Sequence, residues 1–396
     1  MSQLDSFSFS KKRVLIRVDF NVPLDANFTI TDDTRIRAAI PTVKTIIDQG
    51  GSVILMSHRG RPKGFDDALS MRYLVNHLSH LLSTEVKFID KCIGQKVETL
   101  SQSLKPGQVL LIENLRFYSE ETKGDVAFAE SLSKLGDIYV NDAFGTAHRA
   151  HASTAIIAQF FKGKKCFGHV MANEIKNITR LTKEAKQPFT AIIGGAKVSS
   201  KIDIILRLLD EVNNLIIGGG MTFTFVKASG GKVGNSLVEN DKLDLAEEII
   251  QKAKEKGVNL FIPVDSINAD QFDNDANQSY SSVREIPDGF MGLDIGQKTV
   301  EQFNDVICNS QTVLWNGPMG VFEMDNFSKG TEAVANSLVK ATENGAYTLV
   351  GGGDSVAAIN KYNLSQKVSY VSTGGGAMLE FLEGKVLPGI AAITEE

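Results

Sequence analysis

The stretch FTAIIGGAKVSSK, residues 189–201, runs from an apolar segment through a glycine pair to Lys197 and Lys201. A short aliphatic run bounded by glycine reads as a strand buried on both faces, handing over through a tight turn to a helix. The same grammar recurs downstream in NNLIIGGGMTF (213–223), NLFIPVD (259–265), TVLWNGPMGVFE (312–323), YTLVGGGDS (347–355) and VSYVSTGGGA (368–377). Upstream it appears as RVLIRV (13–18), SVILM (52–56), QVLLIE (108–113) and DIYVND (137–142). Amphipathic stretches separate these runs, for example Met71 to Leu82 behind Ser70 as a cap.

Strands alternating with helices specify parallel sheets covered on both faces. At 396 residues the chain exceeds what a single core serves. The expectation is therefore α/β, with two doubly wound parallel-sheet (Rossmann-like) domains facing each other across a hinged cleft. FGHVMANEIKNITRLTKEAKQP (167–188) reads as one long helix, with Val170, Ile175, Ile178 and Leu181 along one side and Pro188 closing it. That places a first domain at 1–168, a connecting helix at 169–187 and a second domain at 188–379. The polar segment INADQFDNDANQSYSSVREIPDG (267–289) reads as a surface excursion without a core of its own.

Composition narrows the function classes. With 42% hydrophobic and 22% charged residues and no unbroken apolar run of membrane-spanning length, the chain reads as a globular protein with no membrane partner. A net charge of -5 argues against a nucleic-acid partner while allowing a local basic pocket. Cys92, Cys166 and Cys308 are odd in number and lie in no CxxC pair, which suggests reduced thiols in the cytoplasm. The start MSQLDSFSFSKKRVLIRVDF lacks a cationic segment followed by an apolar one, so no export signal is expected.

In doubly wound sheets ligands sit beyond the carboxyl ends of the strands, so the residues just after each apolar run matter most. In the first half these are charged: Asp19 and Asn21, then His58, Arg59 and Arg61, then Arg116, then His148, Arg149 and His151, with Arg35 and Arg37 opening a helical stretch. Several cations converging on one sheet edge repel one another unless an anion lies among them, and the planar donors of arginine match phosphate and carboxylate. Any single arginine could instead pair with a surface acid. A zinc site on His148 and His151 lacks a cysteine or HExxH partner.

In the second half the strand ends are glycine-rich, and bare N–H groups before a helix suit phosphate. Neither GxxxxGK[ST] nor GxGxxG is present. Lys197 and Lys201 lie one helical turn apart after Gly194 and Gly195, and Asp354 after Gly353 suits magnesium, which prefers one or two carboxylates plus phosphate oxygens. The residues thus describe an anion-binding domain and a nucleotide-binding domain, and so a phosphoryl-transfer enzyme.

Nine motifs, RVDFNVP, SHRGRP, ENLRF, AHRAH, GGAKVSSK, GGGMTFTF, WNGPMGVFE, GGGDS and STGGGA, occur in the order found in phosphoglycerate kinase, which the chain resembles over essentially its whole length. The resemblance implies that 3-phosphoglycerate or 1,3-bisphosphoglycerate is one substrate and ATP or ADP, with Mg2+, the other. It implies that Asp19 and Asn21 meet the hydroxyl and carboxylate end, and that His58, Arg61, Arg116 and Arg149 hold the non-transferring phosphate. Phe20, Arg59 and Gly60 complete that site, and Arg35 reaches the transferring group. On the nucleotide side it implies Gly194, Gly195 and Lys201 at the phosphates, with Lys197 on the group in flight. Gly219, Gly220, Gly292 and Asn316 lie around the adenine end and the nucleotide, Gly352 and Gly353 also bind the nucleotide, Glu323 meets the ribose, and Asp354 with Ser355 holds magnesium and a phosphate. Arg35 and Lys197 are the implied catalytic residues. Ser200 and Ser355 depart from the aspartate and threonine frequent in that family. The resemblance also implies a monomer, hinges at the connecting helix and at VSTGG (371–375), and a tail, 380–396, packed back on the first domain.

Because the attacking carboxylate is already ionised at neutral pH, such an enzyme needs no general base, only alignment and charge neutralisation. Two rivals remain at this point. A two-lobed binding protein explains the arginines but not the glycine turns, and a nicotinamide-dependent dehydrogenase lacks its fingerprint.

Overall fold

The computed structural model describes residues 4–395 and resolves two compact units. One comprises the chain up to Lys176 together with the segment from Lys385, and the other runs Asn177–Gly384. The division thus falls inside the helix expected to separate the domains, and the chain returns to the first unit at Gly384 and Lys385.

In the first unit, strands β1 (Arg13–Val18), β2 (Ser52–Met56), β3 (Val86–Ile89), β4 (Val109–Ile112), β5 (Ile138–Asp142) and β6 (Lys165–Phe167) form a six-stranded sheet in the order β3-β4-β2-β1-β5-β6. Every pairing in it is parallel, with Val14 opposite both Val53 and Ile138. Helices α1 (Thr34–Asp48), α2 (Val75–Leu82), α3 (Gln95–Gln102), α4 (Ser119–Lys123) and α5 (Val126–Ser133) occupy the crossovers, and α6 (His169–Lys183) follows β6. The β1 run is apolar because both of its faces are covered: Val14, Ile16 and Val18 join Ile36, Val43 and Val53 in one core, while Leu15 on the opposite face is equally buried. Ser70 caps a 3-10 turn, Met71–Leu74, which precedes the α-helix expected to begin there. Strand order reverses beside β1, between β2 and β5, and that switch point is where such a sheet opens a crevice.

The second unit repeats the plan. Strands β7 (Phe189–Ile193), β8 (Asn214–Ile217), β10 (Asn259–Phe261), β15 (Thr312–Asn316), β16 (Tyr347–Val350) and β17 (Tyr370–Val371) pair in the order β10-β8-β7-β15-β16-β17, again all parallel. Its crossovers include α7 (Ile202–Leu208), α8 (Thr222–Ala228), α9 (Leu243–Glu255), α10 (Gln297–Cys308), α11 (Lys329–Glu343) and α12 (Gly353–Lys361), followed by α13 (Gly376–Leu382). Ile192, Ile216, Val313, Trp315 and Phe303 are central to its core, and the switch point falls between β7 and β15.

Two expectations are corrected here. Helix α6 stops at Lys183, short of Pro188, and Lys186 N–H then donates to Thr312 Oγ1 while Lys186 O accepts from it, which ties the approach to β7 against β15. The segment 267–289 does have a core. Strands β11 (Asp265–Ala269), β12 (Gln278–Ser282) and β14 (Met291–Ile295) form an antiparallel sheet, and Ala269, Ala276, Leu293 and Phe327 bury together beneath it. Strands β9 (Lys232–Val233) and β13 (Glu285–Ile286) pair nearby.

Candidate active site

In the first unit the turn after β2 is the organising element. Gly60 N–H donates to Asn21 Oδ1 at 2.9 Å, and Gly60 O accepts from the Arg116 guanidinium at 2.7 Å, so one residue ties the β1, β2 and β4 ends together. Gly60 is required there: its φ is +62, and a Cβ would meet Leu69 at 2.9 Å. Asn21 O accepts from Arg35 at 3.0 Å, and Arg35 lies 3.5 Å from the Asp19 carboxylate. Arg61, Arg116, Arg149 and His151 line one cavity of about 690 Å³, with Lys63 and Ser119 also on its wall.

This cluster stands on a buried polar lattice. Arg17, on β1 and fully buried, donates to Ser153 Oγ at 2.8 Å and lies 3.1 Å from His58 Nδ1. Ser153 Oγ in turn donates to the buried Glu121 carboxylate at 2.6 Å. Burial pushes His58 well below its ordinary pKa, and the charges of Arg17, Arg116 and Arg35 add to the fall. Burial likewise takes His151 down to about 4, helped by Arg116, Arg17 and Arg149. Both rings are therefore neutral at physiological pH, and the positive charge is carried by the arginines.

Not every expected contact side chain points into the site. Arg59 is buried and its guanidinium donates to Ser70 O and Ala68 O, pinning the loop before α2. Phe20 sits in the core, and only its backbone reaches the turn, through N–H donation to Ser57 Oγ at 2.8 Å. Arg37 pairs with Asp33 at 2.8 Å. The tail does fold onto this unit: Gly389 N–H donates to Ala147 O and Gly389 O accepts from Asn141, so α14 (Pro388–Thr394) backs the loop that carries Arg149.

In the second unit two adjoining cavities share Gly195, Ala196 and Asp354. The smaller, about 300 Å³, is lined by Gly194, Lys197, Ser200, Lys201, Asn316, Gly352, Gly353 and Ser355. The larger, about 350 Å³, is lined by Gly219, Gly220, Gly292, Glu323 and a set of apolar side chains. Asn316, expected around the adenine end and the nucleotide, lies beside Lys201: its Oδ1 accepts from Lys201 Nζ at 2.5 Å and its Nδ2 donates to Gly351 O. Burial lowers the Lys201 pKa, opposed by Asp354. Lys197 and Lys201 flank a 3-10 turn, Val198–Ser200, rather than sharing a turn of α-helix, yet both line the same cavity. Ser200 Oγ donates to Lys197 O at 2.8 Å, and Ser355 Oγ accepts from Gly317 N–H at 2.5 Å.

The glycine turns serve two different ends. A Cβ on Gly194 would meet Pro318 O at 2.2 Å and one on Gly219 would meet Gly195 at 2.6 Å, so these glycines let the chain ends of β7, β8 and β15 touch one another. At Gly195 and Gly353 a Cβ would meet nothing within 4 Å, which leaves bare backbone open to a ligand. Asp354 follows Gly353 in the first turn of α12. Among the described residues no cluster of three metal-ligating side chains occurs, including around His148 and His151.

Sequence reasoning missed Arg17, Glu113, Asn114, Glu121 and Ser153. Glu113 accepts from Ser70 Oγ and Met71 N–H, and Asn114 accepts from the N–H groups of Arg59 and Arg116. For this pair a signal existed, since both directly follow β4. The ion-dipole chain from Arg17 to Glu121 had none, because its members lie far apart in sequence.

The family model described as phosphoglycerate kinase matches residues 4–385 of the chain. A phosphoglycerate kinase of Porphyromonas gingivalis is 55% identical over 98% of this chain and 99% of its own length. A cytosolic phosphoglycerate kinase of Nicotiana tabacum is 53% identical over 97% of this chain and 96% of its own. Among solved structures, phosphoglycerate kinase from Coxiella burnetii superposes with a TM-score of 0.89 at 40% identity, covering 99% of this chain and 98% of that one.

Proposed function

Because the chain belongs to the phosphoglycerate kinase family, we propose that its two units divide the reaction, the first holding the phosphoglycerate and the second the nucleotide. The enzyme is a glycolytic kinase that interconverts ADP and 1,3-bisphosphoglycerate with ATP and 3-phosphoglycerate. The observation that carries the division of labour is the contrast between the two sets of cavities: arginines around one, and glycine turns with two lysines and one carboxylate around the other.

In this reading Arg61, Arg116 and Arg149 neutralise the phosphate that does not transfer, with His58 and His151 as uncharged donors beside it. Asp19 and Asn21 orient the rest of the substrate, and Arg35, held near both, addresses the transferring group. Arg59 acts as a positioning residue for the loop. On the nucleotide side the open backbone at Gly195 and Gly353 cradles phosphates, Lys201 neutralises them in the ground state, and Lys197 follows the group in transit. Glu323, on the wall of the larger cavity, accepts from the ribose hydroxyls.

The donor set fits magnesium. One carboxylate, Asp354, beside phosphate-binding backbone matches a cation that takes one or two carboxylates and completes its shell with nucleotide oxygens. When bound, the ion supplies charge neutralisation of the phosphate oxygens. Since the ligands are held on different units, direct transfer requires a hinge motion that unites them and excludes water; α6, at which the chain passes from one unit to the other, is the proposed pivot. A monomer in the cytoplasm completes the reading. The three free thiols suit a reducing compartment, the family carries the monomer, and relatives of this similarity occur in both cytosol and chloroplast.

The test is ATP turnover by the purified chain with 3-phosphoglycerate, read in an assay coupled to the acyl phosphate, with EDTA and then excess Mg2+ added. Turnover that stops with EDTA and returns with magnesium is expected. ATP consumption independent of 3-phosphoglycerate overturns the assignment, and full activity in EDTA overturns the role of the ion.

A further inference from the structure

The larger cavity of the second unit is walled by Phe223, Leu237, Met291, Leu293 and Val321. Of its polar side chains, Glu323 and Asp354 are the ones assigned above to the nucleotide and its ion, while Ser266, Asp294 and Asp265 are committed to the protein itself. Ser266 Oγ donates to Asp294 O, the Asp294 carboxylate accepts from the N–H groups of Ile295 and Gly330, and Asp265 accepts from Thr299 Oγ1. Thr222 differs. It opens α8, lines the same cavity and is 2% exposed, and its Oγ1 has no hydrogen-bond partner among the described residues.

A buried hydroxyl without a partner lowers stability and is uncommon in a folded protein. On the wall of a ligand cavity it is accounted for if the partner arrives with the ligand. The hydroxyl is also firmly placed: Thr222 N–H donates to Gly219 O at 3.1 Å, in a turn packed so closely on Gly195 and Pro318 that no Cβ fits at Gly219. The cations that suit phosphate, Lys197 and Lys201, line the adjoining cavity and not this one, and Thr222 lines only the apolar compartment.

Resting on the reading that this cavity takes the nucleoside of ADP and ATP, we propose that Thr222 Oγ1 hydrogen-bonds a polar atom on the edge of the nucleobase and so fixes the orientation of the ring. The apolar walls attract a flat heteroaromatic ring by burial, which is non-directional. A single hydroxyl, able to donate to a ring nitrogen or accept from an exocyclic amine, supplies the direction.

The experiment uses Thr222→Val and Thr222→Ser in the full chain, with calorimetric titration of ADP and inhibition by inorganic tripolyphosphate, which reaches the phosphate turns but carries no base. Thr222→Val is expected to weaken ADP about tenfold, the scale of one lost hydrogen bond. It is expected to leave tripolyphosphate inhibition unchanged and to raise the ligand-free melting temperature, because the unpartnered hydroxyl is gone. Thr222→Ser should keep ADP affinity within about twofold, since it retains the donor and acceptor. Thr222→Ala replaces the valine variant if that one does not fold. Unchanged or tighter ADP binding in Thr222→Val overturns the proposal, as does a loss shared equally by tripolyphosphate. Leu237→Trp, at the exposed rim of the cavity, separates this from the parent reading. If it leaves ADP affinity intact, the nucleoside does not enter the cavity and both readings fall; if it weakens ADP while Thr222→Val does not, only the role of Thr222 falls.

Discussion

The Arg17 guanidinium lies 3.1 Å from His58 Nδ1, and a guanidinium carries only donors, so Nδ1 is the acceptor and the ring proton resides on Nε2. His58 is nearly fully buried and held neutral, so it offers an incoming anion one N–H, from Nε2, and no charge. The variants that test this differ in reach. In His58→Gln the side-chain amide falls near Nε2, and in His58→Asn it falls near Nδ1. The glutamine variant is expected to keep 3-phosphoglycerate affinity within about threefold and the asparagine variant to lose about tenfold, the scale of one hydrogen bond to a charged group. Calorimetry on both decides; equal losses would place the functional proton on Nδ1 or remove His58 from the site.

Arg149→Ala should weaken 3-phosphoglycerate by about tenfold or more, because an arginine facing phosphate makes charge-assisted, often bidentate bonds. ADP affinity should hardly move, since Arg149 lies in the first unit and every residue assigned to the nucleotide lies in the second. Titration with each ligand separately checks it. A parallel loss of ADP affinity contradicts the division of substrates between the units.

Much of this fold was legible because both sheets are parallel and buried, which forces apolar runs that stand out against amphipathic helices. β12 was not legible, for the opposite reason: its burial alternates between exposed and half-buried, and Gln278 to Ser282 carry few apolar side chains. The arginines could be read because they follow strands directly, as Arg61 and Arg116 do. Arg17 was hidden inside RVLIRV, where position within a strand argues for core; acceptors brought close by the fold, Ser153 backed by Glu121, and His58, make its charge tolerable there. The glycines were half legible. Sequence showed where the chain turns, but whether a glycine faces a ligand, as Gly195 does, or another strand end, as Gly194 does, depends on contacts across the sheet.

Asp142 provides a pH test. Its Oδ1 accepts from the N–H of Val170 at 2.8 Å and of Met171 at 3.3 Å, at the start of α6. Burial nevertheless pushes its carboxyl up to about 7, against the lowering effect of those bonds and of Thr42. A carboxyl in the unfolded chain titrates near ~4. The folded state therefore holds the extra proton between about pH 4 and pH 7, and this group's contribution to stability is lost as pH rises through that window, by up to about 1.4 kcal/mol per pH unit. Asp142→Asn does not titrate, so its melting temperature relative to the parent should become more favourable from pH 5 to pH 8. Asp294, also raised to about 7 by burial, is common to both proteins and cancels in the comparison. A difference that stays constant across the range would mean Asp142 does not titrate there.

Lys197 and Lys201 line one cavity and could pass for duplicates, yet their surroundings differ. Lys201 is partly buried, with Nζ bonded to Asn316 Oδ1 at 2.5 Å, and is thus held in one place before any ligand arrives. A fixed ammonium neutralises the nucleotide equally in ground and transition states, so Lys201→Ala should raise the KM for ADP and ATP while changing kcat little. Lys197 is exposed at the edge of the turn, and its backbone carbonyl, not its ammonium, is what Ser200 holds. An unanchored ammonium is free to follow charge that develops on the moving phosphoryl group, so Lys197→Ala should lower kcat by roughly a hundredfold, the scale of one lost transition-state donor. Equilibrium ATP affinity should barely change. Lys197→Arg should also be impaired, since a planar fork does not replace a compact ammonium. Steady-state kinetics on all three variants, paired with equilibrium ATP binding, provide the measurement. If Lys197→Ala loses ATP affinity in proportion to its rate, Lys197 is a ground-state binding residue, and its assignment to the transferring group is wrong.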